Sequence, residues 1–245
     1  MKSGFSTLLF YIAITISAAD YTSEGFSAET SKNGIVKQLR YKGTPLLSGI
    51  QLNGSYHPGE EKHDARFFQS WDYTGTAEIQ RKGSTMISVT NSSLGNKKFQ
   101  NAVSYECRET FSPETVTLEY KATLNRELSK QSGIFSTLLH LPADIPGKGM
   151  KITDKNGNEM LRIIPKTFDK TFRPSGRIFQ FALGKGKTFT VAAGEDAVIS
   201  IMDSRAWGGK NVCLSVSPAV PWSHKPRQFP AGTVFRWTIT ITASS

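Results

Sequence analysis

The stretch SYHPGEEKHDARFFQSWDY, residues 55–73, gathers the densest set of ionisable and aromatic side chains in the chain. An imidazole titrating near neutrality beside carboxylates has the means for acid–base work on a sugar. The candidate proton-transfer groups are therefore Tyr56, His57 and His63, with Arg66 and Trp71 as binding groups. The competing reading is a solvated loop whose charges never converge. A second stretch, ISIMDSRAWGG, changes from apolar Ile199 and Ile201 to Asp203, Arg205 and Trp207. Read as one strand, those three polar and aromatic side chains share a face. Aromatic surface suits the C–H faces of sugars, and planar charged groups suit hydroxyls or uronates. The alternative is an Asp–Arg pair at a strand end, with the indole capping the core. In PAVPWSHKPRQFP, prolines flank Trp222 and could hold it with His224, Lys225 and Arg227 at low entropic cost. A packing loop that seals one end of the fold explains the same residues. His140, which ends the apolar run FSTLLHLP, reads as a satisfied sheet-face histidine.

The elements that position these groups are strands. In VSYECRETF, Val103, Tyr105, Cys107 and Phe111 oppose Ser104, Glu106, Arg108 and Thr110. In VTLEYKATL, Val116, Leu118, Tyr120, Ala122 and Leu124 oppose Thr117, Glu119, Lys121 and Thr123. The SPE between them predicts a turn, so the two runs form a hairpin with one buried face. TVFRWTITIT repeats the scheme, with Phe235, Trp237, Ile239 and Ile241 inward. Alternation also predicts strands at 35–41, 76–81, 85–90, 134–141, 160–164, 177–183, 188–192 and 197–203. KNG, RKGS, DKNGNE and GKGK supply turns between them. Helical periodicity is almost absent. The expected fold class is all-β, a large antiparallel two-sheet β-sandwich. No linker divides the chain, so residues 20–245 are expected to form a single domain.

The first nineteen residues read differently. Lys2 precedes the apolar run FSTLLFYIAITIS, and Ser17 and Ala19 offer small residues before a cut at Asp20. That pattern is a signal peptide over residues 1–19, and the expected location is secreted or periplasmic, without stable membrane insertion after cleavage. An N-terminal anchor helix is the alternative. The net charge of +10, of which Lys2 supplies one, favours acidic partners, although lysines scattered for solubility would give the same total. Nucleic acid is disfavoured by export and by the lack of a reader motif. Cys107 and Cys213 are the only cysteines, and sequence leaves open whether they form a disulfide. Neither a metal nor a cofactor is expected: zinc spacings, phosphate-cradling loops and serine elbows are missing.

NGIVKQLRYKGTPLL, the 103–124 hairpin, LLHLPADIPGKGMKI, DSRAW and FPAGTVFRWTITIT follow one another in an order that resembles the galactose-mutarotase-like supersandwich. Such sandwiches are found beside glycoside hydrolases and polysaccharide lyases. The resemblance covers most of residues 20–245 and implies carbohydrate held on a concave sheet or its rim. Mutarotases use a His and Glu pair that has no residue-by-residue match here, so the resemblance carries no catalytic residue. The expected function is a secreted protein binding carbohydrate, an acidic polysaccharide above all, through Asp203, Arg205, Trp207, Arg66, Trp71 and Trp222. An enzyme of the same fold, either a polysaccharide lyase or a mutarotase or epimerase using His/Tyr acid–base chemistry, is one alternative. A surface protein-interaction module is another.

Overall fold

The computed structural model describes residues 20–31, 33–56, 66–69, 77–95, 100–184 and 186–244, with Arg66–Gln69 and Trp207 described as backbone. His57, His63 and Trp71, the 1–19 leader and most of the dense 55–73 segment lie outside the described residues.

β1 (Tyr21–Thr22), β2 (Phe26–Thr30), β3 (Val36–Tyr41) and β4 (Thr44–Leu47) make a small antiparallel sheet. β5 (Gly49–Tyr56) and β6 (Arg66–Gln69) open a second sheet. The chain then crosses to a larger one through β7 (Ala77–Lys82), β8 (Thr85–Leu94), β9 (Val103–Phe111) and β10 (Thr115–Leu124). β11 (Leu128–Lys130) leads into β12 (Phe135–His140), which returns to β5. β13 (Gly149–Thr153) and β14 (Glu159–Ile163) form the far edge of the large sheet. After β15 (Ser175–Gly176), β16 (Ile178–Gly184) and β17 (Lys187–Ala193) extend it inward. β18 (Ala197–Asp203) and β19 (Val212–Pro218) go to the second sheet, and β20 (Arg227–Phe229) pairs with β11. β21 (Val234–Ser244) closes the large sheet between β17 and β10.

The result is a nine-stranded sheet, β14-β13-β16-β17-β21-β10-β9-β8-β7, and a six-stranded one, β15-β18-β19-β12-β5-β6. The all-β antiparallel sandwich expected from alternation is what the chain builds. β9, β10 and β21 put their apolar sets inward, as pleating requires, whereas the edge strand β14 leaves Leu161 and Ile163 exposed. Leu118, Ile239 and Ile241 from the large sheet are fully buried, as are Leu139, Leu214 and Val216 from the smaller. Trp237 joins the layers: its ring stacks on Tyr120 at 5.0 Å, and its Nε1 donates to Thr137 Oγ1 at 3.0 Å. The 103–124 hairpin forms in the expected register, with Phe111 opposite Val116. Strand boundaries agree within one or two residues, except that β8 runs on to Leu94. Cys107 and Cys213 are both free and buried, on strands of different sheets.

Candidate functional site

The 199–209 segment is not one strand. β18 stops at Asp203, and Ser204–Trp207 forms a 3-10 turn ended by Gly208 at φ 79. The cause is local: the Asp203 carboxylate accepts from the Arg205 backbone N at 3.1 Å and bends the chain. Asp203, Arg205 and Trp207 therefore do not form a row on a pleated face. The Arg205 guanidinium is consumed within the protein. Its Nε and Nη2 donate to Asp203 at 2.8 and 2.6 Å, Nη1 to the Lys166 carbonyl at 2.6 Å, and Nη2 to the Pro165 carbonyl at 3.0 Å. Arg205 holds the Asp203 carboxyl below the usual range, and the carboxylate in turn raises the guanidinium. This is a clasp tying the 165–166 segment to the β18–β19 connection. The Trp207 side chain lies outside the description.

Next to the clasp, Asn211 Nδ2 donates to Ser48 Oγ at 3.3 Å, and the Ser48 amide donates to the His140 carbonyl at 2.8 Å. His140 is satisfied as expected. Its Nε2 lies 3.3 Å from Gln51 Oε1 and its Nδ1 3.2 Å from Cys213 Sγ. Burial lowers its pKa, so the ring is neutral near pH 7.

The opposite end of the same sheet is built otherwise. β5 runs from Gly49, opposite His140, to Tyr56, opposite Arg66, which is roughly 23 Å at about 3.3 Å per residue. The structure thus separates the Asp203–Arg205 group from Tyr56, Trp222 and the backbone of Arg66, and the described side chains share no common trough. Tyr56 is 1 % exposed, so its hydroxyl belongs to the core and is not presented at the surface. Beside it, Lys130 Nζ donates to Ser55 Oγ. Burial pushes the Lys130 amine down to about 8. β11 and β20 pair Lys130 with Arg227, and the 219–226 loop is pinned to the same ribbon. The Ser223 amide donates to the Gln131 carbonyl at 2.8 Å, and Gln131 Nε2 donates to the His224 carbonyl at 3.0 Å. The indole of Trp222 is 59 % exposed, with the His224 ring edge-on to it at 4.6 Å. Lys225 and Arg227 are also exposed. One rim therefore carries a fixed aromatic face among three cationic side chains.

Sequence reading overlooked two groups. Lys130 sits in a three-residue strand and meets Ser55 across 75 positions, which leaves no local signal. Glu109 did leave one: it falls in phase with Tyr105, Cys107 and Phe111 and is buried with them, 5 % exposed. Burial raises its carboxyl to about 8.

No protein-family model matches the chain, and no curated protein matches it in sequence. Solved structures do match it in shape. A galactose mutarotase-like protein from Lactobacillus casei superposes with TM-score 0.55 and 9 % identity, over 93 % of this chain and 100 % of its own. A galactose mutarotase related enzyme from Lactobacillus acidophilus gives TM-score 0.53 and 9 % identity, over 93 % and 97 %. The fold is galactose-mutarotase-like. The same sandwich superposes on 40 % of an alpha-galactosidase from Lactobacillus brevis, with TM-score 0.56, 8 % identity and 96 % of this chain covered. In this galactose-mutarotase-like chain neither His140 nor His224 hydrogen-bonds a carboxylate among the described residues.

Proposed function

We propose that the protein is exported by its 1–19 leader and binds an acidic carbohydrate at the rim formed by Trp222, Lys130, Lys225 and Arg227. The observation that carries the reading is Trp222, 59 % exposed, with the His224 ring edge-on to its indole and its neighbours Ser223 and His224 tied through their backbones to Gln131. A large apolar face kept in water by a stiff loop is a docking surface prepared in advance. Its cationic surroundings and the chain's net charge of +10 favour a ligand bearing carboxylates or sulfates. Neighbours in the same fold are named as a galactose mutarotase related enzyme and an alpha-galactosidase, which adds carbohydrate to the chemistry of the rim. Titrating the protein with oligouronates and with neutral oligosaccharides of equal length tests this. Tighter binding of the uronates, lost in Trp222→Ala, is expected; equal affinity, or binding indifferent to that change, overturns it.

Lys130 favours one second reading. An amine held at about 8 is partly unprotonated near neutrality and can accept a proton. A polysaccharide lyase working at this rim would release an unsaturated product from uronate polymers, visible as new ultraviolet absorbance; none forms if the rim only binds.

A further inference from the structure

The nine-stranded sheet ends in two edges of opposite character. At β7, Glu78, Gln80, Arg81 and Lys82 are exposed, the charged dressing that keeps an open edge from pairing. At β14, Leu161 is 76 % and Ile163 68 % exposed. Ile163 stands opposite Gly149, which has no side chain to cover it. Leu161 stands opposite Lys151, whose amine is drawn aside to Glu159 at 3.0 Å.

The backbone of β14 is open along the same row. Its pairing with β13 is bounded by bonds from the Asp154 amide to the Asn158 carbonyl at 3.0 Å and from the Ile164 amide to the Lys148 carbonyl at 3.1 Å. Antiparallel pairs alternate, so Met160 and Arg162 bond to β13, while Glu159, Leu161 and Ile163 point their N–H and C=O groups away from the sheet. Of these groups only the Leu161 carbonyl has a partner among the described residues, Arg162 Nη1 at 3.0 Å, and a carbonyl accepts twice. The longer undescribed stretches are rooted elsewhere. Residues 57–65, 70–76 and 96–99 are anchored at both ends on strands from β5 to β9. Residues 1–19 leave beside β7, where Arg81 donates to the Asp20 carbonyl at 2.6 Å. Eight strand steps, roughly 38 Å at about 4.8 Å each, separate β7 from β14.

We propose that β14 is the contact of a two-fold dimer, pairing antiparallel with β14 of a second copy about Leu161. The strand itself selects this partner and register. With Leu161 opposite Leu161 of the second copy, outward groups meet outward groups, and every outward N–H finds a carbonyl. Each Glu159 then faces the other copy's Ile163. The leucines and isoleucines of both copies form one apolar cluster, with a Lys151–Glu159 ion pair at each end. A register about Arg162 would set two guanidinium groups face to face and bring Pro165, which has no N–H, opposite Glu159. One about Met160 would leave Ile163 opposite Gly157, outside the strand. Growth stops at two copies, because only the charged β7 edges remain. An edge of five residues is smaller than a permanent interface, so the dimer is weak, with a midpoint on the order of 10–100 µM. The contact does not depend on what the Trp222 rim binds.

Sedimentation velocity of the whole chain, from about 5 to about 500 µM, should pass from monomer to dimer and go no further. Leu161→Asp alters a side chain already in water and should stay monomeric throughout, with an unchanged urea midpoint. Leu161→Cys should cross-link into a dimer under diamide, since residues in a hydrogen-bonded pair lie about 5.5 Å apart, within disulfide range. Ile163→Cys should not, because its two copies stand roughly 14 Å apart along the seam. Cys107 and Cys213 are buried and do not interfere. A monomer at every concentration overturns the proposal. So does association that survives Leu161→Asp, as it would through the 1–19 leader, or cross-linking of both cysteine variants or of neither.

Discussion

The two ends of the six-stranded sheet both carry cations, and they answer them in opposite ways. At one end Arg205 is held by a carboxylate and two carbonyls and has little left to offer a ligand. At the other, Lys130 meets only the Ser55 hydroxyl among the described residues, and Trp222 faces solvent. Residue type alone ranks the ends equally, since each combines tryptophan with basic groups. What separates them is whether the polar groups are already satisfied. The core extends the contrast to carboxyls: Asp203 is lowered by Arg205, whereas Glu109, with only the Cys107 thiol against it among the described residues, is raised by burial to about 8.

The largest expected effect lies in that pair of carboxyls. Because the folded pKa of Glu109 exceeds its unfolded value, its contribution is fully present below about pH 4.5 and is lost as pH rises through about 8. Chemical denaturation across that window should show stability falling by roughly 4 kcal/mol, and Glu109→Gln should flatten the slope. Asp203 has the opposite sign: its stabilisation is present above the ordinary aspartate value and fades as pH falls through its lowered one. Replacing Arg205 by alanine should cost about 2 kcal/mol, read as a lower urea midpoint, and leave carbohydrate affinity unchanged. A change in affinity there would erase the distinction between the ends. Trp222→Ala should do the reverse, weakening oligouronate binding about tenfold with stability altered by less than about 0.5 kcal/mol. The smallest effect belongs to Lys130→Gln, up to about fivefold on acidic ligands and none on neutral ones. In the native protein that increment should disappear as pH rises through about 8, where the amine loses its proton.

Much of the scaffold was legible because alternation is a property of adjacent residues. β9, β10 and β21 could be read directly, down to which side chains face inward. β5 was not, since Gly49, Gly54 and three consecutive buried residues, Ile50 to Leu52, blur its period. The strand ending at Asp203 was read correctly, but carrying its alternation on to Arg205 and Trp207 failed, because alternation ignores side-chain capping of the backbone. Of the rim, Trp222 and its proline-bounded loop could be seen locally. Lys130 could not, because its environment is supplied by β5 and β20, distant in sequence. The separation of Asp203 from Trp222 was equally hidden, being set by sheet order alone.

The place of β21 has a consequence for how the molecule is made. Residues 234–244 form the seam between β10 and β17, so the early and late halves of the large sheet have no hydrogen-bonded junction until that segment arrives. During synthesis the 103–124 hairpin must wait with one flank open while more than a hundred residues are added. Assembly should therefore be slow and largely post-translational, with the nascent chain dependent on chaperones that shield an unfinished sheet.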